Sequence, residues 1–117
     1  MPIDSPLAKE NAAAGYITAA THASLHTADP AGTGANEVAG GSPAYARVPI
    51  TWAGGGVDGI YTATLASDFN VPAGTDVAFM GLWTALTGGS YLDKAVCEAT
   101  FASQGTLQIA DITYTQT

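Results

Sequence analysis

Basic residues are scarce in this chain. Its 117 residues include three lysines or arginines against ten acidic residues, which gives a net charge of -7 with the histidines neutral. Proteins bind nucleic acids and anionic membrane surfaces through clustered lysine and arginine, and this sequence has no such cluster. Nucleic-acid and membrane partners are therefore disfavoured, and the charge suits contact with a basic protein surface or repulsion between copies.

Cysteine and long apolar runs are also nearly absent. Cys97 is the only cysteine, so no disulfide can form within the chain, and its apolar neighbours favour a small buried hydrophobic residue over a nucleophile. No run approaches the about 18 apolar residues of a membrane span. Residues 1–10 lack the basic and then apolar pattern of a secretory signal, so we expect synthesis in the cytoplasm of the producing cell.

The first part of the chain is predicted to be helical. Ser5 followed by Pro6 is typical of a helix start, and apolar residues then recur at helical spacing. Residues 1–20 are therefore interpreted as an N-terminal arm and one short helix. Asp29-Pro30 stops any further helix, and a short strand is predicted over residues 22–28.

Residues 29–43 are rich in glycine, contain two prolines and have almost no large apolar side chain. This composition predicts a long exposed loop. Loops of such length are usually functional or mobile, so this segment is the first candidate for an interaction loop.

From residue 44 onward, short apolar runs alternate with turn signals such as Gly54-Gly55-Gly56 and Pro72-Ala73-Gly74. This spacing, with alternating patterns in several runs, is typical of a sandwich or barrel. The run from Val77 to Trp83 is largely apolar on both faces, which predicts a strand covered on both sides. We therefore predict one mostly β domain over residues 1–117, a single β-sandwich or jelly-roll-like domain of six to eight strands with one short N-terminal helix.

No motif for catalysis, a cofactor or a metal emerges. His22 and His26 lie four residues apart, but no third histidine exists and Cys97 is remote, so polar or loop-anchoring histidines are the preferred interpretation. The Gly-x-Ser-x-Gly turn and the ending of a phosphate-binding loop are both missing. The protein is therefore predicted not to be an enzyme, with no catalytic, cofactor-binding or metal-binding residues.

Most residues predicted to contact a partner come from two segments, the N-terminal arm and the glycine-rich loop. Both contain few large apolar residues that could pack against the domain's own core. Ile3 and Leu7 in the N-terminal arm offer apolar surface that a partner could bury. In the glycine-rich loop, Asn36 and Glu37 offer polar contacts.

Two further residues complete the predicted contact set. Arg47 is the only arginine, and its planar fork suits a pair with a carboxylate, either Glu37 of the same chain or an acid of a neighbour. Trp52 lies beside the flexible glycine run and is assigned equally to the core edge and to an interface, where it could contact protein or carbohydrate.

Several motifs resemble a family of small tailed-bacteriophage virion proteins, variously described as head decoration, minor capsid, minor tail or tail-fibre proteins. The resemblance covers nearly the whole chain. It is carried by the segments Ser24-Leu25-His26-Thr27-Ala28-Asp29-Pro30, Gly32-Thr33-Gly34-Ala35-Asn36-Glu37-Val38, Gly40-Gly41-Ser42, Tyr45-Ala46-Arg47, Gly81-Leu82-Trp83 and Thr87-Gly88-Gly89.

This resemblance implies a structural protein of the virion surface, made in the host cytoplasm. The sequence shows no repeats of the kind expected in a fibre shaft, which favours a capsid decoration (minor capsid) protein. Such a protein would bind the major capsid protein and stabilise the outer surface of the head, and the resemblance further implies a homo-trimer. The alternative is a minor tail or tail-fibre component that binds tail proteins or a host cell-wall glycan.

Overall fold

A computed structural model describes residues 6–54, 60–109 and 112–115. Within these ranges one helix and eight strands follow each other in the order α1 (Pro6–Ala19), β1 (His22–His26), β2 (Val48–Gly54), β3 (Ile60–Leu65), β4 (Phe69–Val71), β5 (Thr75–Trp83), β6 (Tyr91–Phe101), β7 (Gly105–Leu107) and β8 (Ile112–Thr115).

Six of the strands form one antiparallel sheet in the order β6-β5-β1-β2-β3-β8, and β4 and β7 form a separate antiparallel pair. Strand β1 lies inside the sheet, since His22 is opposite Trp83 of β5 on one side and Pro49 of β2 on the other. β1 is thus placed next to β5, about 60 residues further along the chain.

The two faces of the sheet differ in chemistry because side chains alternate along β1 and β5. On one face Leu25 is opposite Met80, and both are buried in the apolar core. On the other face Ser24 is opposite Gly81, and this face carries polar side chains under the glycine-rich loop. The prediction that the run from residue 77 to 83 is covered on both sides is therefore confirmed.

The apolar core joins the six-stranded sheet to the β4–β7 pair. Phe69 and Val71 of β4 are fully buried and belong to the same cluster as Leu25, Val48 and Met80. A mostly β, sandwich-like fold with one short N-terminal helix is thus confirmed, although its two layers are unequal, with six strands against two.

The C-terminal half of helix α1 and the residue that follows it are attached to the sheet. Ala13 and Ala20 are buried, and the indole N–H of Trp52 donates to the carbonyl oxygen of Ala20 at 2.8 Å. The Tyr16 hydroxyl donates to Oδ2 of Asp93 at 2.8 Å, and its ring meets that of Trp52 edge-on at 6.0 Å. No helix in the described residues is long and apolar enough to span a membrane.

Two of the short apolar runs that follow residue 44 in the sequence, residues 59–69 and 106–115, are each divided in the structure. Residues 59–69 separate into β3 and the start of β4, because the chain turns after Leu65 and the amide of Ala66 donates to the carbonyl of Pro49 at 2.9 Å. Residues 106–115 separate into β7 and β8, which join different sheets.

A matched pair of glycine substitutions tests the contrast between the helix surface and the covered sheet face. Gly15→Ala should stabilise the fold by about 1 kcal/mol, because Gly15 lies exposed in the helix and a Cβ added there would clash with no other part of the chain within 4 Å. Gly81→Ala should destabilise by about 1–3 kcal/mol, because a Cβ there would lie 2.7 Å from Ser24 Oγ and 2.8 Å from His26 Nε2. Urea unfolding of both variants measures the change in the free energy of unfolding. Equal changes in the two variants would contradict the conclusion that the Gly81 face of the sheet is covered.

Candidate functional site

The glycine-rich loop is folded against the edge of β1 that β2 leaves free. β2 pairs with β1 at His22 and Ala23, and beyond this point the loop takes its place. The Val38 amide donates to the carbonyl of Leu25 at 3.0 Å, and the Thr27 amide donates to the carbonyl of Asn36 at 2.9 Å. The predicted long exposed loop is therefore exposed on its outer side but tied to the sheet along its inner side.

Arg47 closes this loop against the turn after β5. Its Nε and Nη2 each donate to one carboxylate oxygen of Glu37 at 3.0 Å. Its Nη1 donates to the carbonyl oxygens of Ala85 at 3.0 Å and Gly88 at 2.8 Å. The guanidinium carbon lies 3.5 Å from the ring centroid of Trp83. One side chain, 9% exposed, therefore joins three separate segments of chain.

Glu37 is held by a second donor besides Arg47. The Tyr45 hydroxyl donates to Oε2 of Glu37 at 2.8 Å and accepts the backbone N–H of Leu25 at 3.0 Å. Burial alone would raise the pKa of Glu37, but the hydrogen bonds from Arg47 and Tyr45 outweigh it and hold this pKa below its ordinary value. Burial also raises the pKa of Tyr45 far above its usual range, so Tyr45 stays a neutral donor.

A chain of hydrogen bonds continues the site beneath Trp83. The indole N–H of Trp83 donates to Ser24 Oγ at 2.9 Å, and Ser24 Oγ lies 2.7 Å from His26 Nε2. His26 Nδ1 lies 2.7 Å from the carbonyl oxygen of Ala35, which can only accept. Nδ1 must therefore carry the proton, and the Ser24 hydroxyl donates to an unprotonated Nε2. We call the six side chains of Ser24, His26, Glu37, Tyr45, Arg47 and Trp83 the Arg47–His26 network.

His26 is fully buried, and this sets its charge state. Burial lowers the pKa of His26 below its ordinary value of 6.5, and the positive charge of Arg47 lowers it further. The bond to Ala35 and the charge of Glu37 act in the opposite direction without overcoming burial. The folded protein therefore holds His26 in its neutral form.

Aromatic and glycine contacts complete the packing around the network. The ring of Tyr91 meets Trp83 edge-on at 5.5 Å and His26 at 6.1 Å. A Cβ at Gly34 would lie 2.3 Å from Cζ2 of Trp83, so the loop backbone can reach the indole only with glycine at this position.

The Ser24–His26 pair has the separation of a nucleophile and its base, but its surroundings give it another role. Both side chains have no exposed surface, and the Ser24 oxygen already accepts from Trp83. A substrate has no path to the Ser24 oxygen, and a carbonyl rather than a carboxylate orients the imidazole. The pair therefore anchors the loop to the sheet.

An open groove lies beside the buried ion pair. It encloses about 380 Å³ and is lined by backbone and small side chains of the loop, by Tyr45 and Arg47, and by Leu86 and Thr87 of the turn after β5. Leu86 is 50% exposed at its rim. Since every guanidinium contact of Arg47 is made inside the protein, the groove offers mainly apolar and backbone surface.

The structure places the six predicted contact residues in different surroundings. Glu37 and Arg47 pair with each other, which is the internal alternative expected from the sequence. Asn36 lies exposed at a positive φ of 63°, and its amide donates to the carbonyl of Asp29 at 3.1 Å. Trp52 anchors the end of helix α1 through the hydrogen bond from its indole N–H to the carbonyl oxygen of Ala20. Ile3 and the side chain of Leu7 lie outside the described residues, and contact with a partner stays a prediction for all six.

Sequence reasoning missed three of the six members of the Arg47–His26 network. Ser24, Tyr45 and Trp83 were not singled out as polar partners, although the alternation of Ser24 and His26 puts both on one face of β1. His26 does anchor the loop, as the preferred interpretation of the histidines proposed. His22 instead contacts Thr21 Oγ1 through Nδ1 at 2.9 Å. In the described part of the chain, no three His, Cys, Asp or Glu side chains converge as metal ligands.

Comparison with known proteins identifies a family. A family model described as Podophage GP4 fiber I protein gp80 matches residues 8–116. No curated protein and no solved structure matches the chain.

Substitution of Arg47 tests how much the loop closure contributes. Arg47→Met should destabilise the fold by about 3–5 kcal/mol, because the Glu37 carboxylate would stay partly buried without its partner. Arg47→Lys should recover only part of this loss, since an ammonium cannot make the two-pronged contact. Lys94→Met is the control, because it removes the exposed Lys94–Asp29 pair and should change the unfolding midpoint little. Thermal and urea unfolding measure the stability of all three variants. A similar loss of stability in Lys94→Met would contradict the conclusion that the contacts of Arg47 stabilise the closed loop.

The neutral state of His26 predicts a pH dependence of stability. Below about pH 6.5 the unfolded chain takes up a proton at this histidine while the folded chain resists it, so stability is complete above this pH and falls as the pH decreases. A further loss follows below about pH 4.5, where Glu37 is protonated only in the unfolded chain. Urea unfolding at a series of pH values should show a clearly weaker dependence near pH 6 in His26→Asn. Partial burial and the charge of Arg47 also lower the pKa of His22, which is less buried, so His22→Asn should weaken the dependence less. Identical pH profiles for wild type and His26→Asn would rule out this origin.

Proposed function

The chain belongs to the family described as Podophage GP4 fiber I protein gp80, and on this basis we propose that it is a non-enzymatic structural component of a fibre on a podophage virion. The family match spans residues 8–116 and is the observation that carries the proposal. The resemblance to small tailed-phage virion proteins is thereby confirmed.

The geometry of the candidate site supports a structural role. The Arg47–His26 network places its polar groups in contact with each other and with backbone carbonyls, and its result is a loop held in one shape. A loop held in its bound shape before association loses less conformational entropy when a partner binds. The outward side of residues 29–36, including Asn36, is exposed. We therefore take this loop as the surface that meets a neighbouring protein of the virion.

The proposed place on the particle is supported by the description of the family and not by any single residue. The family description names a fibre, which favours tail proteins as partners over the major capsid protein. The chain has no repeats of the kind found in fibre shafts, and this supports a role at the attachment end or tip of the fibre instead of the shaft. Head decoration, favoured by the same absence of repeats, is the competing proposal.

Copy number and position on purified particles separate the two proposals. A fibre component should be scarce relative to the major capsid protein, and antibodies against it should label the tail region in electron micrographs. Quantitative mass spectrometry of the virion and immunogold labelling measure these two properties. High abundance with label over the whole head would overturn the fibre proposal in favour of decoration, whereas absence from the particle would overturn both.

A further inference from the structure

The hydrogen bonds that hold the glycine-rich loop have a direction that is fixed at His26. Neutral His26 donates through Nδ1 to the carbonyl oxygen of Ala35 at 2.7 Å, and its Nε2 accepts the Ser24 hydroxyl, also at 2.7 Å. Ser24 Oγ in turn accepts the indole N–H of Trp83 at 2.9 Å. With the imidazole neutral, every donor in this chain of contacts therefore has an acceptor.

Protonation of the imidazole removes this match. A cationic His26 carries a proton on Nε2 as well, so both ring nitrogens donate and the Ser24 hydroxyl loses its acceptor. Ser24 Oγ can accept from His26 and from Trp83, but its own proton then needs another acceptor. No other described residue hydrogen-bonds to Ser24 Oγ, and the Ser24 side chain has no exposed surface for water. A buried hydroxyl without an acceptor destabilises the closed loop.

The charges of the network do not compensate a positive charge on His26. Glu37 favours the cationic imidazole and Arg47 opposes it, and these two side chains are already paired through both carboxylate oxygens. Tyr45 stays a neutral donor. His22, on the same face of β1, is a second base and brings no negative charge. Burial of His26 also opposes the cation, so the neutral imidazole is the form that fits the closed loop.

The other elements packed against His26 supply no free anion to it. β5 places Phe79 opposite His26, and β6 contributes the ring of Tyr91, which lies edge-on at 6.1 Å. The Asp29 carboxylate of the loop is exposed and paired with Lys94 of β6 at 2.6 Å. A proton on His26 would therefore be poorly stabilised while the loop is closed.

Residues 28–36 have few other anchors to the sheet. The loop after residue 36 is fixed separately, because Glu37 has two donors of its own. Among residues 28–36 only Pro30 is buried, and the pair of Asp29 with Lys94 is exposed and therefore weak. The Pro30 carbonyl accepts from the amides of residues 33–35, which holds this segment together as a unit without attaching it to the sheet.

We propose that His26 is an acid-sensitive anchor of the glycine-rich loop, and that its protonation releases residues 28–36 from the sheet while the apolar core stays folded. Release opens the buried site to water, which accepts the Ser24 hydroxyl proton and solvates the imidazolium. It also uncovers the indole ring of Trp83, against which Gly34 packs. This inference concerns the isolated chain and is independent of the fibre proposal.

Release should follow a defined pH dependence. Below the ordinary histidine pKa of 6.5, the released state binds one proton more than the closed state, because only the closed state lowers the pKa of His26. The closed loop is therefore fully stable above this pH and becomes less stable as the pH falls. Below about pH 6 the equilibrium constant for release should rise about tenfold per pH unit, until the closed state itself takes up the proton.

Amide hydrogen exchange followed by NMR measures release residue by residue. The Thr27 amide, which donates to the carbonyl of Asn36, reports on the loop. The amides of Ala66 and Gly74, whose acceptors lie outside the loop, report on the rest of the fold. After correction for the intrinsic exchange rate, the protection factor of Thr27 should fall about tenfold between pH 6 and pH 5, because one proton is taken up on release. The protection factors of Ala66 and Gly74 should change much less.

His26→Asn is the test variant, and His22→Asn is its matched control. The asparagine amide at position 26 can still donate to the carbonyl of Ala35 but does not titrate, so the fall in Thr27 protection should disappear. His22→Asn should keep this fall, since His22 contacts Thr21 outside the loop. In the wild-type chain, the ring signals of His26 and the backbone signals of residues 28–36 should titrate with the same midpoint.

Each of these measurements can overturn the proposal. Thr27 protection that does not change with pH would do so, as would Ala66 and Gly74 amides that lose protection in the same proportion as Thr27. A His26→Asn chain that is folded by circular dichroism and keeps the fall also overturns it, as does a His22→Asn chain that loses it. Different midpoints for the histidine ring and the loop are equally decisive, and that comparison needs only the wild-type chain.

Discussion

Burial of the Arg47 guanidinium is the constraint on which the loop architecture depends. A desolvated positive charge is tolerated only when its donors and its charge are matched, and four hydrogen bonds and an indole face do this here. These partners come from the loop at Glu37, from the turn after β5 and from Trp83. The three segments must therefore be in place together, or the guanidinium is left without compensation.

The two faces of the sheet are stabilised by different kinds of contact. Leu25 and Met80 build an apolar core on one face, and Ser24 and His26 build a polar one on the other. Apolar packing stabilises the fold but is not directional. Each hydrogen bond of the polar face, in contrast, requires one particular partner. The glycine-rich loop, which has few large apolar side chains of its own, is held by this second kind of contact.

The outline of the fold could be predicted from the sequence because it depends on local signals. The helix start at Ser5-Pro6, the alternation along residues 77–83 and the glycine-rich turns each act within a few residues. The strand order and the network could not be predicted, because they depend on which distant segments meet. Ser24 has an ordinary strand environment in sequence, and only the approach of Trp83, 59 positions away, gives its oxygen a hydrogen-bond donor besides its contact with His26.

The position of β1 has a consequence for how this chain reaches its native state. Strand β1 is among the first elements in sequence, yet its longest ladder is with β5, whose residues 79–83 lie far along the chain. Bringing two such distant segments together lowers the entropy of the chain before the contacts that compensate for this loss can form. Proteins dominated by such distant pairings therefore fold slowly. During synthesis, the edge of β1 that pairs with β5 must stay unpaired until residues 79–83 have left the ribosome, whereas the loop and β2, on the other edge, are made earlier. The side chains that anchor the loop are thus ordered only once most of the protein exists.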